Sequence, residues 1–383
     1  MKNKLLFTLL LVLSIGVLKS QTPREVVVKL LENIGDSTLN YSYVTTTTMN
    51  RPFTTDTFVN TNQYVYRYVG REREIPYDVS VRREKSVSIY NGMFHKVDLA
   101  DSAVVFHDIE RYPNLKSGVI GLFNELSSLF VLSRDLERYL ADDRTSFEFT
   151  NSADESFSNV KEIAITIYDK DGKVLPRQMK LRVSQDNLPV SFWAYLEFEF
   201  RGVKGSQSQL FQYSDIKIGK DAAPLASLNE FSSFTKREWE PEVIPELLSV
   251  GTKAPHWTLK SVGGDSVSLS NFSGKYLLLE FWSANCGHCM TSIGDINELK
   301  NKYPLLQVAF ISMTGDSESK IKSVVEKQGI TAVMLMKSKS VKADYNVFAY
   351  PTFYLVDGSG NIAYSQVGYS DKLVKVVSDV LAK

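Results

Sequence analysis

The chain is poor in the residues that several protein classes depend on. It has two cysteines in 383 residues, Cys286 and Cys289, so no scaffold of disulfide staples can hold it together. It has no second Cys-x-x-Cys and no suitably spaced histidine pair among its four histidines, which leaves a structural zinc site short of ligands. Basic and acidic side chains number 44 each, so no cationic surplus points to a nucleic-acid partner. Beyond the first twenty residues no apolar run is long enough to span a bilayer, and no repeat or low-complexity tract occurs. What remains is an ordinary globular composition, 43% hydrophobic and 23% charged, over a length that allows two or more domains.

Residues 1–20 are expected to be an export signal. Lys2 and Lys4 make a basic start, 5–18 is mostly apolar, and the small Ser20 can precede cleavage. A spanning helix needs roughly 20 apolar residues, so this run is too short for an anchor. The expected location is therefore the periplasm or cell envelope, with no transmembrane segment in the mature chain.

The mature protein is expected to open with a helix. Thr22 and Glu25 have capping-box spacing, Pro23 suits the first turn, and Gly35 can end it. Segments 41–49, 63–69, 87–90 and 94–98 are then rich in Tyr, Val, Thr and Phe, which fit a pleated, half-buried surface. Asn91-Gly92 is a hairpin turn between two of them. A helical pattern interrupts at about 117–140, and strands resume at 163–168, 179–183 and 192–200. Residues 22–218 thus read as one predominantly antiparallel β domain with helices packed on it, an α+β arrangement. The hairpin SIYNGMFHKVD and the later turn DNLPVSFWAY resemble LolA-like half-barrels of the cell envelope. That resemblance implies a curved sheet with a lipid or envelope partner.

Residues 219–247 are expected to be a linker, interrupted by Pro224, Pro241 and Pro245. From 248 to 383 strands and helices alternate, which predicts an α/β domain. Strands are expected at 275–282, 306–313, 352–356 and 362–365, and helices at 286–302, 318–328 and 371–381.

The two cysteines close the run Glu280-Phe281-Trp282-Ser283-Ala284-Asn285-Cys286-Gly287-His288-Cys289. Cys286 stands where a helix begins, so unpaired backbone N–H groups and the helix dipole favour its thiolate, the form that attacks disulfides. Cys289 is one turn further on the same face and can resolve the mixed disulfide. A cation at His288 stabilises the reduced thiolate and makes the disulfide more oxidising.

Two stretches resemble the TlpA/ResA-like redoxins of the thioredoxin superfamily. They are GTKAPHWTLKSVGGDSVSLSNFSGKYLLLEFWSANCGHC and ADYNVFAYPTFYLVDGSGNIAY. The resemblance implies a thioredoxin-like fold and thiol–disulfide exchange with protein substrates, without a cofactor or a metal. By the same resemblance Glu280 accepts the proton of Cys289. Tyr350-Pro351-Thr352 forms a cis-proline turn that meets an extended substrate, and Trp282 lies beside the site. The Cys-Gly-His-Cys sequence resembles that of disulfide isomerases. It implies a potential nearer to about −180 mV than to the −270 mV of thioredoxin. The sequence departs from the family at Gly287 and His288, where a proline is usual within the pair. It departs again at Gly294, often proline, and Ser292, often glutamate. Direction of electron flow and the partner that supplies or removes electrons stay open.

Two other readings compete. The GTKAPHWTL opening also occurs in AhpC/TSA thiol peroxidases, and Ser283 lies three before Cys286, but Leu279 stands where their proline belongs. Alternatively the N-terminal domain captures a ligand or envelope partner and the redox domain services it.

Overall fold

The computed structural model describes residues 21–35, 39–50, 57–70, 72–123, 125, 127–150, 159–200, 203–241 and 243–382. The expected export signal lies outside them. Among the described residues no helix is long and apolar enough to cross a membrane.

Helix α1 (Pro23–Ile34) is followed by β1 (Tyr41–Asn50), β2 (Thr57–Tyr68), β3 (Tyr77–Arg82), β4 (Ser86–Tyr90), β5 (Phe94–Asp98) and β6 (Ala103–His107). Two helices, α2 (Lys116–Phe123) and α3 (Leu129–Ala141), precede β7 (Thr145–Phe149), β8 (Val160–Ile167), β9 (Arg177–Ser184), β10 (Pro189–Phe200), β11 (Val203–Ile218) and β12 (Thr235–Glu238). These strands form one sheet in the order β12-β6-β5-β4-β3-β2-β1-β11-β10-β9-β8-β7. The sequence places α1 as found: Thr22 and Glu25 close a capping box, and Val26, Val27, Leu30 and Ile34 are buried. The expected single helical interruption is two helices, with Ser128 capping the second.

α1 and α3 pack on an aromatic floor. Tyr43 and Tyr64 stack at 5.0 Å, and Phe130 meets Tyr66 edge-on at 4.7 Å. The hydroxyls of Tyr43, Tyr64 and Tyr66 are all paired. Tyr43 accepts from Leu129 N–H at 3.1 Å, Tyr66 donates to the Leu122 carbonyl at 3.1 Å, and Tyr64 meets Ser127 at 2.8 Å and Glu125.

The stretch 219–247 departs from the expected free linker. Phe231 is buried on Val87, Ile89, Val97 and Val104, and β12 pairs in parallel with β6 at the sheet edge. Two phenylalanines seeking cover and an open strand edge seeking hydrogen bonds account for the docking. The charged side chains of β12 stay in solvent, which is why its composition reads as linker.

The remaining elements are β13 (Thr258–Lys260), β14 (Ser266–Ser268), β15 (Tyr276–Trp282), α4 (Gly287–Lys302), β16 (Leu306–Ser312), α5 (Glu318–Gln328), β17 (Val333–Leu335), α6 (Lys339–Asp344), β18 (Thr352–Val356), β19 (Ile362–Val367) and α7 (Asp371–Leu381). They form a second sheet, β17-β16-β15-β18-β19, with β13–β14 as a separate hairpin. β15 runs parallel to β16 and antiparallel to β18. Central and covered on both faces, β15 is buried from Leu277 to Trp282, as its apolar run, broken only by Glu280, requires. One face packs against α4, α5 and α7 through residues such as Ile293, Ile321 and Leu373. The other packs against Trp257, Val341 and Tyr345. Gly329 ends α5 in the left-handed conformation, with φ of 60°.

Candidate active site

β15 delivers its chain into a short loop, 283–286, and α4 starts at once. Cys286 is the N-cap residue of α4 rather than its first helical residue, and its sulfur accepts the Cys289 N–H at 3.1 Å. A first-turn N–H therefore points at this sulfur at the positive end of the helix, an arrangement that favours a thiolate when the pair is reduced. Cys286 and Cys289 are joined in a disulfide, with Cα atoms 5.2 Å apart. Cys286 is half-buried while Cys289 is fully buried, so only the first sulfur is open to another protein. Gly287 and His288 between them are exposed.

Glu280 is fully buried on β15. Its cross-strand neighbours are Phe310 on β16 and Phe353 on β18. No cation faces it. Its carboxyl oxygens meet one group, the Ser292 hydroxyl, at 3.1 and 3.0 Å. Burial pushes the Glu280 carboxyl well above the usual glutamate range, and the Ser292 hydrogen bond offsets this only in part.

The Tyr350–Pro351 peptide is cis. Because Phe281 pairs with Thr352, this turn adjoins the loop 283–286 at the same end of the sheet. Pro351 is buried and its carbonyl accepts the Gly368 N–H at 2.7 Å.

Residues 250–365 match the AhpC/TSA family. Thioredoxin-like protein YneN of Bacillus subtilis (strain 168) is 33% identical over 125 residues, which span 32% of this chain and 74% of YneN. Thiol-disulfide oxidoreductase ResA of Bacillus anthracis is 27% identical over 129 residues, 33% of this chain and 75% of ResA. The solved thioredoxin domain of a thiol-disulfide oxidoreductase from Bacteroides vulgatus is 26% identical, with a TM-score of 0.33 over 35% of this chain and 99% of that one. The chain belongs to the TlpA/ResA-like redoxins. It is a thiol–disulfide oxidoreductase, and its C-terminal part has the thioredoxin-like fold. The residues before 250 lie outside the family match.

Within this redoxin frame the structure brings Cys286, His288, Cys289, Glu280 and Pro351 to one end of the second sheet. Trp282, expected beside the site, and Thr352, expected in the substrate turn, both lie in the core. Trp282 is fully buried, packed edge-on against Phe310 at 6.0 Å, because it continues the covered face of β15. Thr352 is fully buried too, and its hydroxyl donates to the Ala349 carbonyl at 2.8 Å, holding the turn. Tyr350, by contrast, is 37% exposed, and Phe348, which sequence reasoning passed over, is 41% exposed.

Sequence reasoning also missed a buttress behind the cysteine loop. Asp316, in the loop after β16, accepts the Ala284 N–H at 3.3 Å, pairs with Lys320 at 2.5 Å and accepts from the Thr314 hydroxyl. Burial alone would raise the Asp316 carboxyl, but Lys320, Thr314 and the Ala284 N–H together hold it below the usual range. Its place just past the carboxyl end of a core strand, where α/β sites gather, is the signal that could have found it.

Proposed function

We propose that the chain is an exported thiol–disulfide oxidoreductase of the periplasm or cell envelope, exchanging disulfides with protein substrates through Cys286-Gly287-His288-Cys289. Cys286 attacks, Cys289 resolves, and Glu280 takes the proton of Cys289. One observation carries this reading: a half-exposed sulfur capping a helix is bonded to a fully buried one, with a buried carboxyl on the neighbouring strand. Such asymmetry suits a reagent, since an outside partner reaches one sulfur only and the inner one displaces it. Tyr350 and Phe348 supply an exposed aromatic rim for an extended substrate, beside the cis-proline turn. The direction of flux follows from the potential of the pair against that of its redox partner.

The chain divides functionally into the redoxin unit, 248–383, and an N-terminal unit that begins at 22 and takes in β12. We assign the N-terminal unit to holding an envelope partner. Its aromatic floor is already covered by α1 and α3, which favours a protein partner over a lipid cargo.

The test is a Cys289→Ser chain expressed in its own compartment. Stalled disulfides between Cys286 and client proteins support the reading. Rapid peroxide consumption with no client captured would instead make the chain a thiol peroxidase.

A further inference from the structure

Ser292 lies one turn beyond Cys289 on α4 and is fully buried. Its hydroxyl oxygen is 3.1 and 3.0 Å from the two Glu280 oxygens and 2.7 Å from the Cys289 carbonyl oxygen. A hydroxyl has one proton to give and two lone pairs to receive. A carbonyl oxygen can only accept, and so can an ionised carboxylate. If Glu280 were ionised, Ser292 would face three acceptors with a single proton. A neutral Glu280 removes the conflict: its O–H donates to the Ser292 oxygen, and Ser292 donates to the Cys289 carbonyl, its shortest contact.

The surroundings leave this hydroxyl as the deciding group. Across the sheet stand Phe310 and Phe353, and α5 and α7 present Ile321, Val324, Leu373 and Val377 to the same face. Also at this end of the fold are the Cys286–Cys289 disulfide and His288 at the start of α4, Asp295 with Tyr369 further along it, and the Asp316–Lys320 pair beyond β16. Burial acts on the Glu280 carboxyl first and Ser292 second.

We propose that Ser292 is a positioning residue whose hydroxyl reverses direction in each turnover, donating to Glu280 while it is ionised and to the Cys289 carbonyl once Glu280 is protonated. The proposal rests on the reading of Glu280 as proton acceptor. In the reducing direction, the Cys286 thiolate breaks the substrate disulfide and forms a mixed disulfide. The first substrate sulfur leaves as a thiolate and takes a proton from water. Cys289 then gives its thiol proton to the Glu280 carboxylate and attacks the Cys286 sulfur. The Cys286–Cys289 bond forms, the second substrate thiolate leaves, and two electrons have passed to the substrate. As Glu280 gains its proton, the Ser292 hydroxyl turns from Glu280 to the Cys289 carbonyl. This ties the acceptor's protonation to the backbone of the resolving cysteine.

The test uses the full chain and follows resolution of a preformed Cys286 mixed disulfide by stopped flow across pH, for wild type, Ser292→Ala, Ser292→Thr and Glu280→Gln. Loss of a hydrogen bond to a charged group is worth about 1.5–3 kcal/mol, so Ser292→Ala should slow resolution about tenfold or more at neutral pH. Its pH midpoint should move upward, Ser292→Thr should restore both, and initial attack by Cys286 should stay within about twofold. An unmoved midpoint in Ser292→Ala, alongside a lost step in Glu280→Gln, overturns the role of Ser292 alone. A step that survives Glu280→Gln overturns the reading of Glu280 and this inference with it. If Ser292→Ala does not fold, the infrared carboxyl band of oxidised wild type decides: a Glu280 carboxyl that donates a hydrogen bond supports the proposal, and a free or ionised one contradicts it.

Discussion

Among the described residues two glutamates are buried in strands, and their surroundings treat them in opposite ways. Glu162 on β8 accepts from Arg182 at 2.8 Å and from the Thr150 hydroxyl at 2.7 Å, with the Lys180 ammonium at 3.4 Å. Burial alone would raise its carboxyl, yet Thr150, Arg182 and Lys180 hold it below the usual range. Glu280 on β15 has two phenylalanines across the sheet and one serine hydroxyl, and it is pushed up. A glutamate that serves the fold is surrounded by partners that fix its charge. One left nearly alone can take up and release a proton, which is what chemistry at the neighbouring thiol needs.

The sharpest break in this comparison is at the sulfur beside Glu280. Cys289→Ser should remove multiple-turnover exchange, by about 10³-fold or more, while leaving the N-terminal sheet untouched; turnover with a protein disulfide checks this. Glu280→Gln should slow resolution of the mixed disulfide by about 10²-fold and spare the first attack, as expected for loss of a general base. Arg182→Leu should instead leave exchange unchanged and cost about 2–3 kcal/mol of stability in denaturant melts. It leaves the Glu162 charge to the more exposed Lys180 and to Thr150.

Stability against pH gives the smallest effect and the most direct contrast. The folded protein holds Glu162 below its unfolded value, so its contribution is present above that value and is lost as pH falls through the folded one. It holds Glu280 above its unfolded value, so this group costs nothing in acid and progressively more as pH rises toward the folded value. Relative to wild type, Glu162→Gln should therefore lose stability as pH rises above about 4, and Glu280→Gln should gain it, each by about 1–3 kcal/mol. Curves that run in the same direction would erase the distinction.

The redox site was largely legible because its signals are local. A lone Cys-x-x-Cys after an apolar strand, and a carboxylate inside that strand, need no tertiary information to stand out. The capping box of α1 and the Asn91-Gly92 hairpin were legible for the same reason. What depended on distant partners was not. β11, half of it Gln, Ser and Lys, becomes a strand because β1 and β10 flank it. β12 has four exposed side chains, three of them charged, and is held by its backbone against β6. Trp282 and Thr352 looked like substrate contacts by position, and only the packing of Phe310 and the Ala349 carbonyl shows them turned inward. Ser292 registered as a family departure, but its meaning arises where α4 docks on β15, twelve residues away from Glu280.

Glu280 is a buried acid with no charged partner, held by Ser292 beside the cysteine pair. Carbon-13 labelling of the glutamate carboxyls, with Glu280→Gln used to assign the resonance, measures its titration in the oxidised protein. A midpoint well above the usual glutamate value is the expected result. A midpoint at or below that value would make Glu280 a second Glu162 and contradict the account.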